Sequence, residues 1–378
     1  MLFTQFEFFV LMIITLFYLY YVKSFKIKKR FLLLVSYYFY SYWDWRFLGL
    51  IIISTVIDYT IGNLLLNSKS LKSRKLLVAT SVICNLSILG FFKYYNFFLD
   101  SFYLFFSFLE QENSALNIIL PVGISFYTFQ SLSYTIDIYR KKIKPTKSFF
   151  DFALYVSFFP QLVAGPIIRA VDFLPQLESP RKLSRFRLFK GSKLFIFGLF
   201  KKSYIADNLA EFIDFGFANP EILNALTLLI VTLAYGIQIY CDFSGYSDMA
   251  IGIACIMGYD FKSNFNYPYI AQNIQIFWRR WHITLSSWLK DYLYIPLGGN
   301  KFGYILQTRN IFITMLIGGI WHGAGWNFLI WGFLHGAILC ITHLYLKLNL
   351  QISIPNIIKI FITFNTVTIL WIFFRSET

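Results

Sequence analysis

Apolar runs about as long as a lipid bilayer is thick recur along this chain, and no stretch between them reads as a separate water-soluble domain. Inside lipid, such a run satisfies its backbone polar groups by coiling into a helix. Candidate segments are 5–22, 31–43, 47–66, 76–92, 94–109, 116–139, 149–165, 191–200, 222–241, 243–258, 309–325, 326–346 and 355–374. Several are too short or too polar to cross fully. The expected fold is therefore an all-α polytopic membrane protein with about ten or eleven transmembrane helices, plus short re-entrant or interfacial helices. Composition agrees, since 14% of the residues are charged against about 25% in soluble domains. That is too few to cover a water-facing surface.

The formal net charge of +15 could suggest nucleic acid, but its placement argues for lipid. KSFKIKKR (23–30), KSLKSRK (69–75), RKKIKPTK (140–147) and RKLSRFRLFK (181–190) contain no acidic residue and lie between apolar runs. Basic blocks so placed mark cytoplasmic loops beside anionic headgroups. The first two blocks bracket 31–66 as a hairpin, with WDWRF (43–47) at the outer interface. The aromatic piece 94–109 is expected to lie along the interface. The first run lacks a preceding positive charge and contains Glu7, so it reads as a retained anchor with its N-terminus outside rather than a cleaved signal. Cys84, Cys241, Cys255 and Cys340 show no CxxC spacing and read as small buried hydrophobes.

From 259 to 308 the hydropathy drops. Read as one helix, 274–292 places Ile274, Trp278, Trp281, Leu285, Trp288 and Tyr292 at spacings of three and four, with Arg279, His282 and Ser286 on an adjacent stripe. That is an amphipathic helix lying at an interface or re-entering the bundle, closed by Pro296 and Gly298-Gly299.

All four histidines lie at or after position 282. Two fall in GGIWHGAGWNFLIWGFLHG (318–336). Ionisable residues inside a membrane are rare and usually functional, and histidine can take up and return a proton near neutrality. Gly318 and Gly325 flank His322 on the same expected helical face, clearing space for its ring, and Trp321 and Trp326 are placed to wall it. His282, after Arg279 and Arg280, reads either as a headgroup-level polar residue or as the lining of a cytoplasmic entrance. His335 falls on the far side of a continuous helix and reads as packing, and His343 as interfacial. Asp242 and Asp248, in DFSGYSD with Tyr240 and Tyr246 close by, suggest either a polar lining or a hydrogen-bonded helix junction. No HxxH, HxxxH or HExxH spacing exists, so no metal site is expected. Walker-type and GxSxG motifs are also missing.

The run from Tyr240 to Asn300, YCDFSGYSDMAIGIACIMGYDFKSNFNYPYIAQNIQIFWRRWHITLSSWLKDYLYIPLGGN, followed by GGIWHGAGWNFLIWGFLHG, resembles the membrane-bound O-acyltransferase family. It is most similar to the bacterial branch of alginate O-acetyltransferase membrane subunits. PVGISFYTFQSLSYTIDIYR (121–140) and FFPQLVAGPIIRAVDFLPQL (158–177) match as well. The resemblance implies a ring-like helical bundle around a thin wall, with a funnel on each side. It implies His322 as the catalytic histidine and His282 as the second characteristic one, in a chain organised as N-terminal helices (1–115), a core carrying both histidine motifs (116–346) and a C-terminal helix (347–378). The family usually continues well past the W-x-F-F-R sequence at 371–375, so the C-terminal part is expected to be truncated.

The implied activity moves an acyl group, most simply acetyl, across the inner membrane to hydroxyls of an extracytoplasmic glycan such as alginate or peptidoglycan. The donor would be acetyl-CoA or another acyl thioester, including an acyl carrier protein, as co-substrate without a bound cofactor. A partner acetyltransferase protein would complete the transfer. Expected substrate contacts are Arg279 and Arg280 for donor phosphates, with Trp321, Asp242 and Ser286 lining the path. D-alanyl transfer to teichoic acid remains an alternative acyl chemistry. A proton-coupled transporter with histidine relays is a rival of another class, although the repeat symmetry common in transporters is not visible here.

Overall fold

The computed structural model of the protein describes residues 1–106, 116, 118–348 and 354–376. Among these residues the regular structure is helical throughout. Five helices are long and apolar enough to cross a membrane: Trp45–Asn67, Leu71–Phe105, Ala225–Ile256, Trp326–Lys347 and Asn356–Arg375. The residues group into two compact units, Met1–Phe195 with Met249–Phe261, and Ile196–Asp248 with Lys262–Thr378.

In the first unit, the expected hairpin is present as Phe25–Ser41 and Leu48–Asn67, joined at a tip where the Asp44 carboxylate accepts from the Arg46 backbone N–H at 2.9 Å. The segments expected at 76–92 and 94–109 instead form most of one 35-residue helix, Leu71–Phe105; residues 107–109 lie outside the described set. At 1.5 Å per residue this helix is about 52 Å long, well beyond the hydrocarbon core. Lys93, where the apolar pattern breaks, is a good helix former and donates to Ser125 Oγ at 3.2 Å.

A buried polar network ties three helices of this unit together. Asp58 accepts from Ser81 Oγ at 2.5 Å and from Asn85 Nδ2 at 2.9 Å, and Ser54 Oγ donates to Asn85 Oδ1 at 2.7 Å. Ser131 and Thr135 close the network from the helix Ile124–Tyr139. At the end of the unit's last segment, the Arg187 guanidinium holds both oxygens of Asp260 at 2.9 and 2.8 Å. That hydrogen bonding holds the Asp260 carboxyl below the usual carboxylate range.

The second unit contains the histidines. The expected spans 222–241 and 243–258 are one 32-residue helix, Ala225–Ile256, whose last turns belong to the first unit. Asp242 interrupts the apolar pattern without ending the helix, because Lys202 pairs with it at 2.6 Å. Lys201 likewise bonds Asp248 at 2.5 Å and Ser244 Oγ at 2.9 Å. Both lysines come from one π-helical stretch, Phe200–Ala206, so DFSGYSD is at least in part a helix junction.

The single amphipathic helix expected over 274–292 is broken. Ile274–Arg280 and Ile283–Leu289 are separate helices, and His282 between them has φ +42°. The cause lies outside the segment. Asn266 N–H donates to Arg280 C=O and Ile283 N–H donates to Asn264 C=O, each at 2.9 Å, so residues 264–266 take backbone bonds that a continuous helix would use internally.

Candidate active site

The site is built on an antiparallel helix pair, Tyr304–His322 and Trp326–Lys347. Their backbones approach closely because glycines face each other. A Cβ on Gly319 would lie 2.9 Å from Gly332 Cα, and one on Gly332 would lie 2.8 Å from Met315 C=O. The first helix ends at His322 rather than continuing to 325, so Gly325 sits in the connection and not on the His322 face. Gly323 has no room for a side chain because the Phe328 ring fills that space.

His322 is half-buried and held by aromatic edges. Ring centroids lie 5.0 Å away for Trp321, 5.1 Å for Trp331 and 5.3 Å for Phe374, all at interplanar angles of 76° to 83°. A cavity of about 450 Å³ reaches it, lined along one helix face by Gln307, Ile311, Met315, Gly318 and His322. From Gln307 to His322 this face extends about 22 Å. Arg279, Ser286 and Lys290 line the same cavity. A second cavity, of about 600 Å³, is lined by Gln238, Asp242, Asn327, Phe374 and Arg375. Phe374 thus touches His322 and faces the second cavity, while His322 itself faces the first.

His282 is 1% exposed and lines neither cavity. Its Nδ1 lies 3.1 Å from Asn264 Oδ1, which also accepts from Thr284 N–H at 3.2 Å and Thr284 Oγ1 at 2.9 Å. The fixed backbone donor identifies the facing Asn264 atom as oxygen, so Nδ1 carries the hydrogen in the neutral ring and Nε2 keeps its lone pair. That Nε2 is buried and has no hydrogen-bond partner among the described residues. Trp321 stands between the two histidines, 6.2 Å from His282 and 5.0 Å from His322.

The sequence-derived residues therefore separate. Arg279, Ser286 and His322 share one cavity, and Asp242 lines the other. Arg280 lines neither, and its guanidinium donates to Tyr267 C=O at 3.4 Å. Trp326, expected as a wall, is 45% exposed. His335 is fully buried, as its packing role implied, and its Nδ1 accepts from Trp278 Nε1–H at 3.3 Å. Sequence reasoning missed Asn264, Trp331 and Phe374. Only Trp331 carried a signal, as a third tryptophan in the glycine-rich run.

The family model of the membrane-bound O-acyltransferases matches residues 2–376. The chain belongs to that family. Membership covers almost the whole chain, including the N-terminal third where no motif was evident. The peptidoglycan O-acetyltransferase of Helicobacter pylori is 40% identical over 94% of this chain and 72% of its own length. The probable alginate O-acetylase AlgI of Pseudomonas aeruginosa is 45% identical over 95% of this chain and 69% of its own length. More distant is the teichoic acid D-alanyltransferase of Bacillus subtilis, at 26% identity over 82% of this chain. The protein is thus a multi-pass membrane acyltransferase of the O-acetyltransferase type.

Proposed function

We propose that this acyltransferase moves an acetyl group from a cytoplasmic thioester to hydroxyls of an extracytoplasmic polysaccharide, with His322 as general base. The supporting observation is the position of His322 at the end of a long cavity and in ring contact with Phe374, which lines a second cavity. The first cavity suits the donor. Arg279 and Lys290 supply positive charge for phosphates of acetyl-CoA or a carrier-protein arm, and the apolar face through Met315 and Gly318 accepts the thioester end. The second cavity, lined by Gln238, Asp242, Asn327 and Arg375, suits a hydroxyl-bearing acceptor. That acceptor is a glycan or a partner protein that finishes the transfer. Relatives named for peptidoglycan and alginate favour polysaccharide over teichoic acid as its class.

In the reaction, a nitrogen of His322 takes the acceptor's hydroxyl proton as the oxygen attacks the thioester carbonyl carbon. The carbon–sulfur bond breaks, and the proton passes from the imidazolium to the departing thiolate. His282, one tryptophan away and fixed by Asn264, positions Trp321 and the wall around His322. The chain crosses the inner membrane about ten or eleven times in this reading, with 23–30, 69–75 and 140–147 on the cytoplasmic side.

The test is acetyl transfer by His322→Ala in isolated membranes. Loss of transfer at normal expression and thermal stability is expected. A well-folded His322→Ala protein that keeps most of the wild-type rate would remove His322 from the chemistry.

A further inference from the structure

Attack on a thioester builds negative charge on its carbonyl oxygen, and in a water-poor cavity that charge needs a fixed hydrogen-bond donor. Four hydroxyls line the cavity that reaches His322. Three donate to the backbone, Ser286 to Trp281 C=O at 3.3 Å, Ser287 to Thr284 C=O at 2.9 Å and Thr314 to Asn310 C=O at 2.6 Å, and the fourth, of Tyr294, shares a hydrogen bond with the Gln307 side chain. The indole of Trp278, also on the cavity wall, donates to His335. Trp331 differs. It lines the same cavity, its ring lies 5.1 Å from that of His322 at 83°, and it is 1% exposed. Its Nε1–H has no hydrogen-bond partner among the described residues.

Leaving a buried N–H unpaired costs about 1–3 kcal/mol. Phenylalanine would fill much of the same space without that cost. The surrounding packing also holds the indole in one orientation. Trp278 stands at 5.7 Å, His335 at 4.7 Å and Trp371 at 5.7 Å. His335 is itself held by the Trp278 N–H, so it props Trp331 in place.

We infer that Trp331 is a further catalytic residue, whose Nε1–H donates to the thioester carbonyl oxygen as charge develops there. The inference rests on the reading of His322 as general base. His322 moves the proton, the acceptor oxygen bonds to the carbonyl carbon, and Trp331 stabilises the oxygen until the carbon–sulfur bond breaks. Trp331 is neither consumed nor oxidised.

Because Trp331→Ala would open a hole in the aromatic core, the test replaces Trp331 with 3-benzothienylalanine by amber suppression. This side chain keeps the shape of tryptophan and has sulfur in place of the N–H. The rate of acetyl transfer from acetyl-CoA, its KM and the thermal midpoint are measured beside wild type and His322→Ala. The expected result is a fall in kcat of about 10²–10³-fold, with KM and the midpoint unchanged. Wild-type kcat in the benzothienyl protein, with His322→Ala inert, would overturn the role of Trp331 alone. Full activity in His322→Ala would overturn the reading of the site, and the role of Trp331 with it.

Discussion

Gly319→Ala tests whether the close helix pair sets the geometry of catalysis. The added Cβ would lie 2.9 Å from Gly332 Cα and 3.0 Å from Gly332 N, and still closer to Phe328 C=O. Carbon–carbon contacts are comfortable at about 3.5–4.0 Å, so the pair must open by about 0.6–1 Å. All three atoms belong to helix backbone and cannot rotate away. Overpacking of this kind costs about 1–3 kcal/mol, and the better helix propensity of alanine returns about 1 kcal/mol. The net destabilisation is therefore small, up to about 2 kcal/mol. Activity should suffer more, because one helix carries His322 and the other carries Trp331. A misplacement of about 1 Å costs on the order of 10²-fold in rate. Gly90→Ala is the control, since nothing lies within 4 Å of a Cβ at that position. Thermal unfolding in detergent and acetyl transfer in membranes would be measured for both. Wild-type kcat in Gly319→Ala would refute the link between helix spacing and catalysis.

Three further outcomes are expected. Arg279→Gln should raise the KM for acetyl-CoA and weaken its salt dependence, whereas Arg280→Gln should leave both unchanged, because only Arg279 lines the cavity; equal effects would remove the donor role from Arg279. Asn264→Leu removes the acceptor shared by His282 and Thr284 and should destabilise the protein by about 2–4 kcal/mol, read as a lower thermal midpoint. Arg187→Gln should lower the midpoint at neutral pH by the equivalent of at most about 1 kcal/mol, since the pair is partly solvent-screened. Asp260 is depressed in the folded state, so its contribution is present above the ordinary carboxylate value and is lost as pH falls through the lower folded one. The difference between Arg187→Gln and wild type should disappear in acid, and a difference that persists there would assign it to packing.

The sequence showed clearly where apolar character is continuous. The runs at 47–66, 326–346 and 355–374 are helices with nearly those limits. It misled where a single charge interrupts a run. Lys93 and Asp242 looked like boundaries, but each has a partner from another segment, Ser125 and Lys202, which lets its helix continue. The opposite error occurred at His282. Its segment has good helical periodicity, but residues 264–266 compete for the backbone there, and one-dimensional spacing cannot register that. His322 was legible because a histidine among glycines in an apolar run is chemically unusual. The helical stripe already set Arg279 apart from Arg280, and Arg279 and Ser286 do line the cavity while Arg280 donates to Tyr267 C=O; the expected substrate contact at Arg280 came only from its place beside Arg279. The Asp58 network escaped notice because its hydroxyls and amides are scattered over three helices.

The central claim, transfer across the membrane through His322, is tested most directly with inside-out membrane vesicles that enclose the glycan. Radiolabelled acetyl-CoA is added outside, where the cytoplasmic face is exposed, and label on the enclosed glycan is measured over time. Wild-type vesicles should label the enclosed glycan and His322→Ala vesicles should not. Equal labelling by His322→Ala, or labelling only of glycan supplied on the same side as the donor, would contradict the claim.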